Sequence, residues 1–236
     1  MKAPWLAIDT ATDVASVAIG TSDDTAAART IRGARQHAAQ ILPLVQEMLA
    51  AARTELDRLD GIIVGDGPGS FTGLRISWAV AKGLAHERDL PVIAVPSLLG
   101  VAHAAARHEA VAGAVLACFD ALRGQVFGAI YAFHPARVET FIAPDVFSLA
   151  TLAAIAPVRP VLAAGDGAER YREEVVRWIG RPPVASETLP PIASSLLALA
   201  RLSGYPATGE PVYGRPAEAQ VKWETSHGRP LPHSPR

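Results

Sequence analysis

The chain has 236 residues, of which half are hydrophobic and 19% are charged, and its formal net charge is −1. That length accommodates one large domain or two small ones, and the near-neutral charge argues against a dedicated nucleic-acid binder. Cys118, the single cysteine, excludes an intrachain disulfide, favours a reducing compartment and is predicted to be buried. The sequence has no signal-peptide pattern and no apolar run of about 20 residues. We therefore expect a soluble, cytoplasmic protein without membrane contact.

The first half of the chain predicts a meander of strands followed by alternating helices and strands. In chain order, the predicted segments are strands 5–10, 14–20 and 25–31, helix 36–53, strand 61–65, helix 74–85, strand 91–95 and helix 97–106. Ile41, Val45 and Met48 recur at helical spacing, and Pro43 predicts either a kink or the true first turn. Ser97 is expected to cap the last of these helices. This order predicts a mixed sheet with helices packed on its faces.

The second half starts again with a hairpin after a polar break at residues 107–109. Its predicted segments are strands 114–119, 125–133 and 138–143, helix 149–156, strand 160–164 and helices 168–179 and 193–201. We therefore predict an N-terminal domain over residues 1–107, a C-terminal domain over residues 108–225 and an internal duplication. Residues 226–236 are polar and rich in proline, which predicts a disordered tail.

A glycine-rich turn at residues 66–75, Asp-Gly-Pro-Gly-Ser-Phe-Thr-Gly-Leu-Arg, connects a predicted buried strand to a helix. Glycine permits the sharp reversal, and Ser70 or Thr72 can accept hydrogen bonds from the first helical turn. Such a turn either cradles a phosphate at the helix N-terminus or simply places the helix. The candidate phosphate-binding residues are Asp9, Thr10, Gly67, Gly69, Ser70 and Gly73.

Asp9 and Thr10 follow the first predicted strand, where a carboxylate can hold a hydrated Mg²⁺ beside a nucleotide phosphate. In that use the next turn needs glycine, so that the phosphate can approach the backbone. Here the turn continues with Ala11 and Thr12. A plain turn-forming role for Asp9 is therefore equally open.

Small side chains recur every four residues along the helix that follows the glycine turn. Gly73, Ser77, Ala81 and Ala85 form one ridge, and large apolar residues cover the other sides. A helix that is apolar nearly all round is buried on more than one side, and a ridge of small residues lets another helix approach closely. We predict that the ridge faces a helix of another chain, beside the 36–53 helix. The alternative is a helix at the centre of one larger domain.

The sequence motifs of metal and nucleophile sites are missing. The seven histidines form no H-x-x-x-H pair, Ser70 does not lie in a G-x-S-x-G elbow, and no P-loop lysine follows the glycine turn. Gly165-Asp166-Gly167 is the available candidate for a second phosphate loop. Asp166 and Glu169 lie at capping-box spacing, so the start of a helix explains these residues without a phosphate. We therefore predict no metal site, no cofactor and no catalytic residue.

Several blocks between residues 5 and 215 resemble the TsaB (YeaZ-type) family. The most specific is Gly67-Pro68-Gly69-Ser70-Phe71-Thr72-Gly73-Leu74-Arg75 with Ala81-Lys82-Gly83-Leu84-Ala85. The others are Leu6-Ala7-Ile8-Asp9-Thr10, Arg35-x-His37 leading to Ile41-Leu42-Pro43, Asp120-Ala121-x-Arg123-Gly124 with Val126-Phe127, and Pro211-x-Tyr213-x-Arg215. Two residues depart from the family pattern, since Ala38 stands where serine is common and Leu122 where a second basic residue is frequent.

The resemblance implies an α/β fold of two RNase-H-like domains of the actin-like ATPase (ASKHA) type, with mixed sheets flanked by helices. It also implies a non-catalytic role in forming threonylcarbamoyladenosine at position 37 of tRNAs that read ANN codons. In this family the subunit pairs with the catalytic subunit TsaD, TsaE joins as an ATPase, and the subunit alone forms a homodimer. Contact with tRNA is expected to be indirect, through the complex. The predicted helix-bundle interface comprises Ala38, Ile41, Leu42, Val45, Gly73, Leu74, Ser77, Trp78, Ala81 and Ala85.

The alternative is a stand-alone kinase or phosphatase of the actin-like fold, which would use Asp9 and the glycine turn on ATP. Such an enzyme needs a second phosphate loop in its C-terminal half, where only residues 165–167 are available. A metallopeptidase-like activity is disfavoured further, because the histidine pair is missing.

Overall fold

A computed structural model of the protein describes residues 3–22, 24–33, 36–86, 88–200, 202, 210–215 and 226–227. Within these ranges the strands are β1 (Trp5–Asp9), β2 (Val14–Gly20), β3 (Thr25–Arg32), β4 (Gly61–Gly65), β5 (Val92–Val95), β6 (Ala114–Asp120), β7 (Val126–His134), β8 (Arg137–Phe147) and β9 (Leu162–Ala164). The helices are α1 (His37–Ala51), α2 (Phe71–His86), α3 (Ser97–His108), α4 (Leu149–Ile155), α5 (Asp166–Arg170), α6 (Arg172–Ile179) and α7 (Ile192–Leu199).

The strands form two sheets, and the first four strands of the five-stranded sheet have the same arrangement as the four strands of the other. The first sheet has the order β3-β2-β1-β4-β5 and the second the order β8-β7-β6-β9. In each sheet an antiparallel hairpin, β1 with β2 or β6 with β7, is extended by a parallel strand, β4 or β9, that returns after a helical segment. The shared order agrees with the internal duplication that the sequence predicts.

The central strands β1, β4 and β6 are buried on both faces of their sheets, since successive side chains along a strand point to opposite faces. In β1, Ile8 joins the apolar cluster beneath α1 and α2, whereas Ala7 joins the central cluster between the sheets. In β6, Val115 joins the central cluster, whereas Leu116 and Cys118 join the cluster beneath α4 to α6. The burial of Cys118 confirms the sequence prediction.

The molecule therefore has five layers, in the order helices, sheet, helices, sheet, helices. Helices α1 and α2 cover one face of the first sheet, α3 and α7 lie between the sheets, and α4 to α6 cover the far face of the second sheet. Helix α3, from the first half of the chain, packs on β6, β7 and β9, while α7, from the second half, packs on β1, β2 and β4. The domain boundary at residues 107–108 remains a prediction, and these two helices cross it.

The observed elements depart from the predicted ones at a few positions. The helix expected at 168–179 divides at Tyr171, whose backbone is not helical. Helix α1 begins at His37 and runs through Pro43, so Pro43 does not mark its first turn. The predicted tail, residues 226–236, lies outside the described residues except for Ser226 and His227. Among the helices described, none is both long and apolar enough to cross a membrane.

Two predicted helix caps are wrong because other groups engage the side chains. Pro96 is the N-cap of α3, and the Ser97 hydroxyl instead donates to a carboxylate oxygen of Asp9 at 2.5 Å. Gly165 is the N-cap of α5, so Asp166 and Glu169 form no capping box. Glu169 accepts a hydrogen bond from the backbone of a distant loop.

Candidate functional site

The glycine turn is packed against the end of β1. The backbone nitrogen of Ser70 donates to the carbonyl oxygen of Ala11 at 2.7 Å, and the Thr10 hydroxyl donates to the carbonyl oxygen of Gly73 at 2.6 Å. A Cβ atom at Gly69 would overlap the carbonyl group of Ala11, and one at Gly73 would overlap that of Thr10. These two glycines therefore allow one backbone to lie directly on another, which is the helix-placing use of the turn.

The six candidate phosphate-binding residues come together, but they bind one another and the rest of the chain. Ser70 accepts a hydrogen bond from the Gly73 nitrogen at 3.2 Å, as predicted for the first turn of α2. The Gly67 nitrogen donates to the Ser97 hydroxyl at 3.2 Å, and a Cβ atom at Gly67 would overlap the carbonyl oxygen of Val212. Phosphate binding at this turn remains a prediction, and these contacts argue against it.

Two carboxyl groups lie beneath the glycine turn. Asp9 is fully buried, and its carboxylate accepts hydrogen bonds from the Ser97 hydroxyl at 2.5 Å and the Ala11 nitrogen at 3.2 Å. Burial raises the pKa of Asp9 above its ordinary value, although these hydrogen bonds oppose the shift. Burial, together with the neighbouring charge of Asp9, raises the pKa of Asp66 to about 7. Asp9 therefore fixes the start of α3 to the end of β1.

The predicted partner-facing ridge is instead part of the chain's own core. Gly73, Ser77 and Ala81 are inaccessible to solvent in the single chain, and Ala81 packs in the cluster between α2 and the first sheet. The prediction that this ridge faces another chain is therefore wrong. The physical reason is that small side chains let α2 lie close to its own sheet. The other predicted interface residues buried in this way are Ile41, Val45, Leu74, Trp78 and Ala85.

A different face of α1 and α2 points outward, and we call it the outer helix face. Of the predicted interface residues, Ala38 and Leu42 belong to it, and Leu42 is 47% exposed. On α2 the corresponding side chains recur at helical spacing, and this face is apolar along most of its length. The residues of the outer helix face are Ala38, Ala39, Leu42, Pro43, Ile76, Ala79, Val80 and Gly83.

A cavity of about 490 Å³ lies between the two halves of the molecule. Its polar lining contains the carboxylates of Asp13, Asp166, Glu169 and Glu187 and one guanidinium, that of Arg32. Asp166 accepts hydrogen bonds from the backbone nitrogens of Asp120 and Gly167 at 3.1 and 2.9 Å, so that carboxylate is engaged in holding the loop. Sequence reasoning missed this cavity, because its walls come from segments that are far apart in the chain.

The chain is similar to proteins of one family. A family model described as "TsaD: tRNA N6-adenosine threonylcarbamoyltransferase" matches residues 31–175. The TsaB protein of Escherichia coli K12 is 40% identical, over 60% of this chain and 63% of that protein. TsaB of Haemophilus influenzae is 38% identical over 52% of this chain and 51% of that protein. The chain therefore matches between half and two thirds of the length of these two relatives. TsaB of Bacillus subtilis is 31% identical over 92% of this chain and 96% of that protein.

The solved structure of YeaZ from Pseudomonas aeruginosa superposes with a TM-score of 0.73 at 29% sequence identity, covering 89% of this chain and 99% of that one. This match and the two sheets of shared topology confirm the predicted fold class, two RNase-H-like halves of the actin-like ATPase type. The matching family model carries the name of TsaD, whereas the relative that aligns along nearly the whole chain is a TsaB protein. The chain therefore belongs to the TsaB (YeaZ-type) family.

Proposed function

We propose that this chain is a non-catalytic accessory subunit in tRNA threonylcarbamoyladenosine biosynthesis, acting at adenosine 37 of tRNAs that read ANN codons. It would pair with a TsaD-type catalytic subunit, recruit a TsaE-type ATPase and form a homodimer when alone. Membership of the TsaB family along nearly the whole chain supports the pathway. The single observation that carries the accessory role is the apolar outer helix face of α1 and α2.

Gly83 is the most informative residue of this face. It lies exposed near the end of α2, and, apart from its chain neighbours and the backbone of its own helix, no described atom lies within 4 Å of the position a Cβ atom would take. Glycine in a helix costs about 1 kcal/mol relative to alanine, and no contact among the described residues requires it here. A second helix packed closely against this face would require it, because small residues let two helix backbones approach.

The outer helix face also has the composition of a protein interface. Ile76 and Val80 on α2 are half-buried, and Leu42 on α1 is 47% exposed. The two helices pack side by side on the same sheet, so their outward residues make one continuous surface. A pair of helices from each of two chains would pack there as a four-helix bundle, with the apolar side chains removed from water.

The alternative, a stand-alone actin-fold kinase or phosphatase, receives less support from the same features. The residues of the glycine turn are engaged with β1, and a triphosphate in the cavity between the halves would meet four carboxylates and a single guanidinium. Calorimetric titration with ATP and Mg²⁺ distinguishes the two. Stoichiometric nucleotide binding followed by phosphate release would favour the enzyme.

Co-purification tests the accessory role. The full chain is expressed with the TsaD-type subunit of the same organism, and the threonylcarbamoyladenosine content of tRNA is measured in cells depleted of their own TsaB. We expect the wild type to retain the partner and restore the modified base. Ala79→Arg places a charge on the outer helix face and should abolish both, whereas the control Ala154→Arg, at an exposed position of α4, should change neither.

The isolated chain provides a second test. Given threonine, bicarbonate, ATP and tRNA, it should form no modified base without the other subunits. Transfer activity by the purified chain alone would contradict the accessory role. An Ala79→Arg protein that still binds the partner would contradict the assigned face while leaving the pathway intact.

A further inference from the structure

Residues 210–215 form a strap between the two halves of the molecule. The Val212 nitrogen donates to the carbonyl oxygen of Asp66 at 2.7 Å, which joins the strap to the glycine turn. At its other end, a guanidinium nitrogen of Arg215 donates to the side-chain oxygen of Gln125 at 2.7 Å. Gln125 lies at the turn between β6 and β7. The strap thus brings together side chains from three distant parts of the sequence.

Arginine and aromatic side chains are stacked along this strap. The rings of Phe71 and Tyr213 have centroids 4.4 Å apart, and the guanidinium carbon of Arg75 lies 4.0 Å from the centroid of Phe71. The Tyr213 hydroxyl accepts a hydrogen bond from Arg75 Nε at 3.0 Å. The guanidinium carbon of Arg215 lies 5.7 Å from the centroid of Phe127. These ring contacts and hydrogen bonds therefore hold both guanidinium groups in place.

The charges of Arg75 and Arg215 are not neutralised by a carboxylate within the described part of the chain. Arg75 and Arg215 bond to a hydroxyl and an amide, both neutral, and neither forms an ion pair with a described carboxylate. A guanidinium held in plane by a neutral partner keeps its charge and its remaining N–H groups for an external anion.

We propose that this strap surface, comprising Phe71, Arg75, Tyr213 and Arg215, contacts the sugar-phosphate backbone of RNA. Under the proposed function, on which this inference rests, the RNA is the tRNA itself, contacted directly and not only through the partner subunit. Arg75 and Arg215 supply phosphate contacts, and aromatic and guanidinium planes are the groups on which unpaired bases stack. The chain's net charge of −1 makes such binding weak overall and local to this surface.

An acidic partner protein is the competing occupant. Leu122 is 58% exposed and Val212 is 45% exposed, and apolar residues next to arginine are also typical of protein interfaces. The ring contacts and hydrogen bonds favour RNA, because they hold in place the two guanidinium groups that phosphate recognition needs. Measurements of RNA binding and of partner retention on the same variants separate the two occupants.

Binding of labelled, unmodified tRNA transcript to the full chain is measured by fluorescence polarisation between 50 and 200 mM salt. We expect Arg75→Gln and Arg215→Gln each to weaken binding about three- to tenfold at low salt and to lower the salt slope by about 1. The control Arg177→Gln, at an exposed position of α6, should leave both quantities unchanged. Arg75→Lys and Tyr213→Phe keep the charge and test the strap itself, so they should weaken affinity while retaining the slope.

The outcomes distinguish this inference from the proposed function. A wild-type chain that does not bind tRNA at 50 mM salt, or glutamine variants with unchanged affinity and slope, would overturn the RNA contact. Variants that keep RNA binding but lose the TsaD-type partner would identify the surface as a protein interface and also overturn it. In each case restoration of the modified base in depleted cells, measured separately, reports on the proposed function.

Discussion

The protonation of Asp66, in the glycine turn, makes the stability of the folded chain depend on pH. Burial and the charge of Asp9 raise its pKa from 3.8 to about 7, so the folded protein holds a proton that the unfolded chain releases near pH 4. The sign follows from linkage: wherever the folded state binds more protons than the unfolded state, the free energy of unfolding falls as pH rises. The contribution of Asp66 to stability is therefore complete below about pH 4 and is lost as pH approaches 7.

Replacing Asp66 by asparagine tests this sign. Asparagine keeps the shape but removes the ionisable proton, so the melting temperature of Asp66→Asn relative to wild type should rise as pH increases from 4 to 7. The corresponding difference in the free energy of unfolding should not change by more than about 1.4 kcal/mol per pH unit, the limit for one proton. Thermal unfolding by circular dichroism at four pH values measures it. A difference that stays constant with pH would show that Asp66 does not titrate in this range.

Elements with strong periodicity were predictable from the sequence, whereas the direction in which α2 faces was not. Strands β2 and β4 have the predicted bounds, and the order of strands and helices in the first half is confirmed. Helix α2, however, carries small residues on two sides, at Ser77 and Ala81 facing the sheet and at Ala79 and Gly83 facing outward. Spacing identifies both rows but cannot tell which one the sheet covers.

Two glycines of α2 should respond in opposite ways to alanine. At Gly73 the new Cβ atom would overlap the carbonyl group of Thr10, so Gly73→Ala should lower the free energy of unfolding by about 1–3 kcal/mol. At Gly83 the space is open within the described structure, so Gly83→Ala should raise it by about 0.5–1 kcal/mol. Urea unfolding of the two variants, at a dilution where size-exclusion chromatography shows a monomer, measures both effects, because the proposed homodimer would cover Gly83. Destabilisation by Gly83→Ala in the isolated chain would mean that this position is packed.

Arginine substitutions at Ala79 and Ala81 distinguish the outer helix face of α2 from its buried face. Ala81 is inaccessible in the single chain, so Ala81→Arg would bury an unpaired charge at a cost of several kcal/mol, and little folded protein should be recovered. Ala79 is exposed, so Ala79→Arg should keep the wild-type circular dichroism spectrum. Soluble yield and size-exclusion chromatography compare them. A well-folded Ala81→Arg monomer would restore the original assignment of this ridge to a partner interface.

Contacts between distant segments decide the features that sequence analysis could not reach. The Asp9–Ser97 hydrogen bond joins residues 88 positions apart, and the Arg75–Tyr213 bond spans 138 positions. Local patterns explain each residue as a turn former, a cap or a surface charge. Only the assembled fold reveals these pairs. Likewise, only the fold reveals that α3 and α7 each pack on the sheet of the other half, which is an exchange of helices between the halves.

The exchange of helices predicts that residues 1–108 cannot form a stable domain alone. The inner face of the first sheet is covered by α7, in which Leu196 and Leu199 are fully buried. The Ala193 nitrogen also donates to the Ser16 hydroxyl of β2 at 3.0 Å. A fragment ending at His108 would expose this apolar face to water, and we expect it to aggregate or to lack a cooperative thermal transition.

A point substitution in the full chain tests the same contact without truncation. Leu196→Ala should cost about 2–5 kcal/mol, as is typical for a buried leucine, whereas Leu42→Ala, at a 47% exposed position, should cost less than about 0.5 kcal/mol. If the two halves were independent, Leu196→Ala would leave the unfolding of the first sheet unaffected. A 1–108 fragment with a sharp transition near that of the full chain would establish such independence. Because α7 completes the core of the sheet that carries the outer helix face, we expect both tests to show that the stability of this sheet depends on the second half of the chain.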